Sequence, residues 1–139
     1  MLLFFEYLLQ ILLSAFLGGL IGYERESSGK QAGARTMAIL AVGSTAFTII
    51  SRLGFQDVSN ASFDPSRIAA TIVMGIGFLG AGLIFQKENR VEGLTTAAAL
   101  WASASIGMAV GCKMYELATI VTIVLLFILW FLRKAKKEL

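Results

Sequence analysis

The sequence predicts an all-α integral membrane protein: five transmembrane helices in one domain, 1–139. Three observations predict it. First, 57% of the 139 residues are hydrophobic and the mean hydropathy is +0.77. A soluble domain of this size could not bury that much apolar surface. Second, the charged residues, 15% of the chain, divide it into five apolar runs at 7–23, 36–51, 68–86, 93–112 and 117–132. A spanning helix needs about 20 apolar residues and tolerates about 17. Third, lysine and arginine alternate in density between successive connections. Arg25, Lys30, Arg35, Lys87, Arg90, Arg133, Lys134, Lys136 and Lys137 fall at one end of the helices, and only Arg52, Arg67 and Lys113 at the other. The positive-inside rule then predicts an N-out, C-in orientation.

The first helix is expected at about 4–23. It lacks a basic leader, carries Glu6 early and shows no small-residue cleavage site, so it reads as a span and not as a removed signal. Gly18 and Gly22, four apart, form a small-xxx-small face for a close helix neighbour. The helix runs into "GYERESSGKQAGAR", where Glu24, Arg25 and Glu26 end it and Gly29 and Gly33 suit tight turns. Two readings stand there. One is a solvated stop-transfer boundary. The other is an ion-pair cluster of Glu24, Arg25 and Arg35 that holds a partner or a gate.

The second helix, about 35–52, is short, and Arg35 and Arg52 can snorkel from its two ends. Ser44, Thr48 and Ser51 recur on it at helical spacing. The third helix, about 65–86, opens on "DPSR". Asp64 is placed to cap the first backbone N–H groups, and Pro65 needs no N–H partner at the first helical position. Arg67 can pair with Asp64 or reach a neighbouring helix. The pair is either a helix start or a functional outer cluster.

"GIGFLGAG" lies within that helix. At about 100° per residue, Gly75 and Gly82 fall on one face and Gly77 and Gly80 on the other. Two small-residue faces predict two close neighbours and a central position for the third helix. A phosphate-binding loop is a poor alternative, since no strand precedes the glycines and no Lys-Ser or Lys-Thr follows.

The fourth helix, about 93–112, carries a ridge at spacing four: Ala99, Ser103, Gly107, Gly111. Thr95, Thr96, Ser103 and Ser105 are its polar groups. The fifth, about 115–133, is again short, with Arg133 able to snorkel from its end. Residues 22–40 align with 82–100 at a shift of 60, with five identities in nineteen positions. That reads as a parallel repeat of two helical hairpins about an axis along the membrane normal.

The residues present narrow the chemistry. The chain has no histidine, and Cys112 is its only cysteine. No nucleophile–base pair is visible, so neither an enzyme, a cofactor nor a metal site is expected. No carboxylate lies mid-span, where proton-coupled pumps and divalent-cation pathways need one. The net charge of +3 has a topological explanation, and no basic–aromatic platform for nucleic acid is present.

Taken together, "GGLIGYERE", "GART", "DPSRIAATIVMGIGFLGAG" and "GLTTAAALWASASIGMAVG" resemble the MgtC/SapB family of membrane proteins, from about Gly18 to Gly111. The resemblance implies a multi-pass protein of the bacterial inner (plasma) membrane with about five spans. It implies a link to growth in low magnesium and to virulence through survival inside macrophages. It further implies regulation of other membrane systems rather than proven transport. The family blocks fall on Glu24, Arg25, Gly33, Arg35, Thr36, Asp64, Pro65, Arg67, Gly75, Gly77, Gly80, Gly82, Thr95, Thr96 and Trp101. Many relatives continue with a cytoplasmic ACT-like domain, whereas this sequence stops at "RKAKKEL", the short form. The expected partners are the bilayer, a second copy in a homo-oligomer (a dimer by preference) and other inner-membrane proteins. The alternative is a small oligomeric channel or transporter for an ion or small solute.

Overall fold

A computed structural model of the chain describes residues 1–56 and 64–137. Its helices are α1 (Leu2–Ser27), α2 (Ala34–Leu53), α3 (Ser66–Ala81), α4 (Leu94–Gly111) and α5 (Tyr115–Lys137). Four of them, α1, α2, α4 and α5, are long and apolar enough to cross a membrane, and α3 is a shorter apolar helix of 16 residues. The protein is therefore a helical membrane protein.

The central helix is α4. Eleven of its eighteen residues are buried, and it packs against all four other helices. This corrects the expectation that the glycine-rich third helix lies at the centre. Only Ile72, Ile76 and Gly80 of α3 are buried, and α3 packs chiefly against α2 and α4. Lipid is as apolar as leucine, so apolar area gives no drive for burial here. Helix order is set by close packing and by buried hydrogen bonds. α4 has both, and α3 has little of either.

Between α2 and α4 the backbones nearly touch. A methyl group at Gly107 would overlap the Ala41 carbonyl oxygen, and one at Gly111 would lie 2.7 Å from Thr48 Cβ. Thr45 Oγ1 donates to the Gly107 carbonyl at 2.8 Å, and Ser103 Oγ to that of Met37 at 3.2 Å. The Thr45 and Ser103 hydroxyls thus join the two helices. α1 closes on α2 in the same way, with a Gly18 methyl 2.7 Å from Met37 O and a Gly22 methyl 2.5 Å from Ala34 Cα and Gly33 O. At the far end, Gln10 Nε2 and Arg52 Nη1 donate to the last carbonyls of α4, Val110 and Gly111, each at 2.8 Å. A cation at a helix C-terminus also complements the helix dipole.

α3 ends at Ala81, five residues before the expected boundary at 86. The chain then forms a small antiparallel hairpin, β1 (Phe85–Lys87) and β2 (Arg90–Glu92), with Lys87 opposite Arg90. The reason lies at Gly93. Its φ of +89° is a left-handed conformation that L side chains rarely adopt, and a methyl there would run into the Leu83 carbonyl. The glycine turns the chain from hairpin into α4 against the end of α3. The two linkers of the expected repeat differ accordingly: Gly33 starts α2 with φ −78° and no hairpin before it.

Candidate functional site

Where α1 meets α4 and α5, charges are buried. Glu24 and Arg25, in the last turn of α1, are 9% and 5% exposed. Glu24 Oε1 accepts from Arg133 Nη1 of α5 at 3.1 Å and from Ser28 Oγ at 2.8 Å. Its Oε2 lies 3.5 Å from Arg25 Nη1. Arg25 Nη2 reaches Thr96 Oγ1 of α4 at 3.2 Å, and Arg133 also donates to Ser28 Oγ. Three helices are thereby fastened at one point. Glu24 Oε2 and Arg25 Nε are buried without a hydrogen-bond partner. One carboxylate serves two guanidinium groups, so the cluster carries a surplus of one positive charge. Taking each such ion out of water costs several kcal/mol after relaxation, so a cluster like this is a poor device for stability alone.

The expected trio of Glu24, Arg25 and Arg35 is corrected in one member. Arg35 is exposed and Arg133 takes the place assigned to it. The physical reason is the start of α2. Gly33 and Ala34 lie against Gly22, and Glu26 Oε2 accepts the Ala34 N–H at 3.1 Å, capping α2 from α1. Thr96 is buried in the cluster and its neighbour Thr95 is exposed.

Asp64 and Arg67 stand apart, at the start of α3. Asp64 Oδ1 accepts from the Ser66 N–H at 2.9 Å and from the Ser66 hydroxyl at 2.6 Å. The Ser66 hydroxyl first, then its N–H, hold the Asp64 carboxyl below its ordinary range, with the Arg67 charge a smaller influence. Arg67 Nε is 3.9 Å from Asp64 Oδ2, and the Arg67 side chain is 83% exposed. Among the described residues its side chain pairs only with Asp64, and the geometry is that of a helix start.

The glycines of α3 divide. A methyl at Gly80 would make ordinary contact with Ala97 at 3.6 Å, and one at Gly82 would lie 3.4 Å from Leu79 O. Methyls at Gly75 and Gly77 would meet nothing within 4 Å, so at these two positions neither of the close neighbours that the sequence predicted is a described residue of this chain. Taking Ile72, Ile76 and Gly80 as the inward face, Gly75 and Gly77 point about 100° to either side of it. Gly75, with Gly43, Phe47 and Thr71, lines a groove of about 400 Å³ between α2 and α3. Val73, on the Gly77 side, lines a second of about 320 Å³ with Trp101, Met108 and Leu117. Among the described residues no group of three or more His, Cys, Asp or Glu side chains stands together as a metal site.

Sequence reasoning missed Arg133 and Ser28 as members of the cluster, and Gln10 as a cap for α4. The available signal for Gln10 was a lone amide within the first apolar run. Arg133 gave no signal of its partners Glu24 and Ser28, more than a hundred residues away.

Comparison with known proteins places these features in a family. The sequence profile described as the MgtC family matches residues 11–138. The chain is similar to "Putative magnesium transporter YhiD" of Escherichia coli K12, 44% identical over 127 residues, covering 89% of this chain and 59% of that protein. It is similar to "Protein MgtC" of Salmonella typhimurium LT2, 42% identical over 137 residues, covering 99% of this chain and 57% of that protein. "Protein MgtC" of Brucella abortus is 45% identical over 117 residues, 84% of this chain and 47% of that protein. The chain thus spans between about half and three-fifths of the length of these relatives. No solved structure matches.

Proposed function

The chain belongs to the MgtC family, and from that premise we propose a multi-pass inner-membrane regulator that supports growth at limiting magnesium by binding other membrane proteins. The observation that carries this reading is where the polar groups and the open surfaces lie. Thr45 of α2 and Ser103 of α4 are committed to bonds across a closed seam, with Gly107 and Gly111 in backbone contact. Two open grooves lie laterally beside α3. Gly43 and Gly75 line the α2–α3 groove with free space over both, so a helix from a partner protein can approach closely there. The other flank, beside Gly77, serves a homo-dimer. The relatives' names, one a putative magnesium transporter, support the link to magnesium.

Five spans with the N-terminus outside belong to this reading, α3 crossing with the hairpin as its inner end. The nine-to-three distribution of lysine and arginine supports that orientation. A reporter fused after Leu139 is expected to read cytoplasm, and one inserted near Asn60 the outside. The two-hairpin repeat remains part of the proposal through Gly33 and Gly93, which start α2 and α4 at equivalent positions.

The alternative is a channel formed between copies. Ser44 and Thr71 favour it, since both line the α2–α3 groove and would face a pore built there. Two measurements separate the readings: complementation of a strain unable to grow at limiting magnesium, and ion flux through liposomes holding the purified chain. Binding predicts complementation lost in Gly75→Leu, with no flux from the wild-type protein. Magnesium flux abolished by Gly75→Leu refutes it in favour of the channel.

A further inference from the structure

We propose that the end of α5 at Arg133 and Lys134 is a binding surface for an anionic phospholipid in the leaflet on that side, whose phosphate competes with Glu24 for Arg133. The sequence there, Arg133-Lys134-Ala135-Lys136-Lys137, holds four basic residues in five, directly after an apolar span. Basic clusters so placed attract acidic lipid headgroups. Lys134 Nζ sits 5.6 Å from the centroid of the Trp130 ring, and Trp130 is half exposed. Tryptophan favours the headgroup level, which sets the depth of this end of the helix.

The buried cluster supplies the specificity. Arg133 is bound to Glu24 and Ser28 yet its side chain is 37% exposed, so one side of it faces outward. Glu24 is the one carboxylate in the cluster, and it is divided between two guanidinium groups. Arg25 Nε beside it has no acceptor. A phosphate diester arriving from the bilayer brings the missing negative charge to Arg133, leaving Glu24 to Arg25. Lys87 and Arg90, paired with each other across the hairpin, are separate from this cluster and serve as its control. A lipid at α5 would thus loosen the tie between α5 and α1, where Ser28 and Glu24 hold it.

The test uses the full chain with Trp101→Phe, which leaves Trp130 as its one tryptophan. It is reconstituted in phosphatidylcholine vesicles holding brominated phosphatidylglycerol or, in parallel, brominated phosphatidylcholine. Quenching of Trp130 reads local lipid occupancy. At low salt the phosphatidylglycerol is expected to bind at least about fivefold better, the effect of about one basic residue at a charged surface. The preference should collapse in about 1 M salt, where the screening length is about 3 Å. It should fall in Lys134→Gln and vanish in Arg133→Gln/Lys134→Gln, while Lys87→Gln/Arg90→Gln keeps it. Equal quenching by both lipids, or a preference that survives the double variant, overturns the proposal. Relief of quenching by millimolar inorganic phosphate overturns the lipid as ligand, reassigning the site to a free oxyanion. Lys134→Gln decides the matter should the double variant fail to fold, since Lys134 is no part of the buried cluster.

Discussion

Replacing Glu24 by glutamine is the most direct probe of the buried cluster. Glutamine keeps the shape and can still accept from Ser28, so the change removes charge and little else. Two guanidinium nitrogens lie 3.5 Å and 3.1 Å from the carboxylate. At an effective dielectric constant of about 20, each such contact is worth about 5 kcal/mol before desolvation is counted. The Arg133 contact is partly screened, because that side chain is 37% exposed. The Arg25 contact is not, and Arg25 would be left buried with its charge uncompensated. Removing one member of a buried pair costs about 3–5 kcal/mol. Allowing for the screened half, the expected loss is about 3 kcal/mol. The assay is reversible unfolding in mixed micelles on titration with dodecyl sulfate, followed by circular dichroism. A second variant, Arg35→Gln, should change stability by less than about 0.5 kcal/mol, the usual range for exposed sites. A double-mutant cycle between Glu24→Gln and Arg133→Gln should return a coupling of about 0.5–3 kcal/mol. Glu24→Gln within about 0.5 kcal/mol of wild type, or Arg35→Gln costing more than Glu24→Gln, would refute the assignment of the cluster.

Gly107→Leu should unfold the bundle or bar its assembly, because α2 backbone occupies the space; Gly77→Leu should leave the melting midpoint of the detergent-solubilised monomer unchanged. The reverse order would restore α3 as the central helix. Gly93→Ala should cost at least about 1–3 kcal/mol from left-handed strain before the overlap with Leu83 is added, and an unaltered denaturation midpoint would count against the hairpin corner. Asp64→Asn should preserve the start of α3, since asparagine caps about as well as aspartate. Because the folded carboxyl is held below its ordinary value of 3.8, its contribution is present above that pH and is lost only as pH falls through the lower folded value. Stability measured from pH 5 to 8 should therefore show no step from this residue, and a step there absent in Asp64→Asn would contradict the capping geometry.

Much of the fold was legible because small residues recur at helical spacing. Gly18 with Gly22, and Gly107 with Gly111, each mark one face, and those faces meet α2. The helical wheel was equally clear for Gly75 and Gly77, and it misled about position. A wheel gives the direction of a face and not what stands opposite it, and here the opposite space belongs to no helix of this chain. The end of α3 was hidden for a different reason. Its apolar run continues through Leu83, Ile84 and Phe85, and only the folded backbone shows the turn at Gly82 and Leu83 and the strand that starts at Phe85. Arg133 was illegible as a member of the site because the arginines at the ends of the apolar runs look alike in sequence. The choice between Arg35 and Arg133 is made by where Ala34 lies against Gly22, a tertiary fact.

The central helix of this protein is the fourth to be made. When α1 and α2 enter the bilayer, Glu26 can already cap Ala34, and Gly18 and Gly22 can already close on α2. That hairpin is a finished unit on one side only. Its other side presents Thr45 and Thr48, both buried against α4 in the folded chain, to lipid until α4 has been synthesised. At about 5–20 residues per second the ribosome needs several seconds to deliver α4. Through that interval the nascent chain carries a polar, close-packing surface in search of a helix. Assembly is therefore open to capture: an insertase, or the α4 of a copy already in the membrane, can occupy the seam first. A chain truncated after the hairpin at Glu92 would hold this surface open permanently, and its fate in the membrane would be governed by quality control rather than by folding.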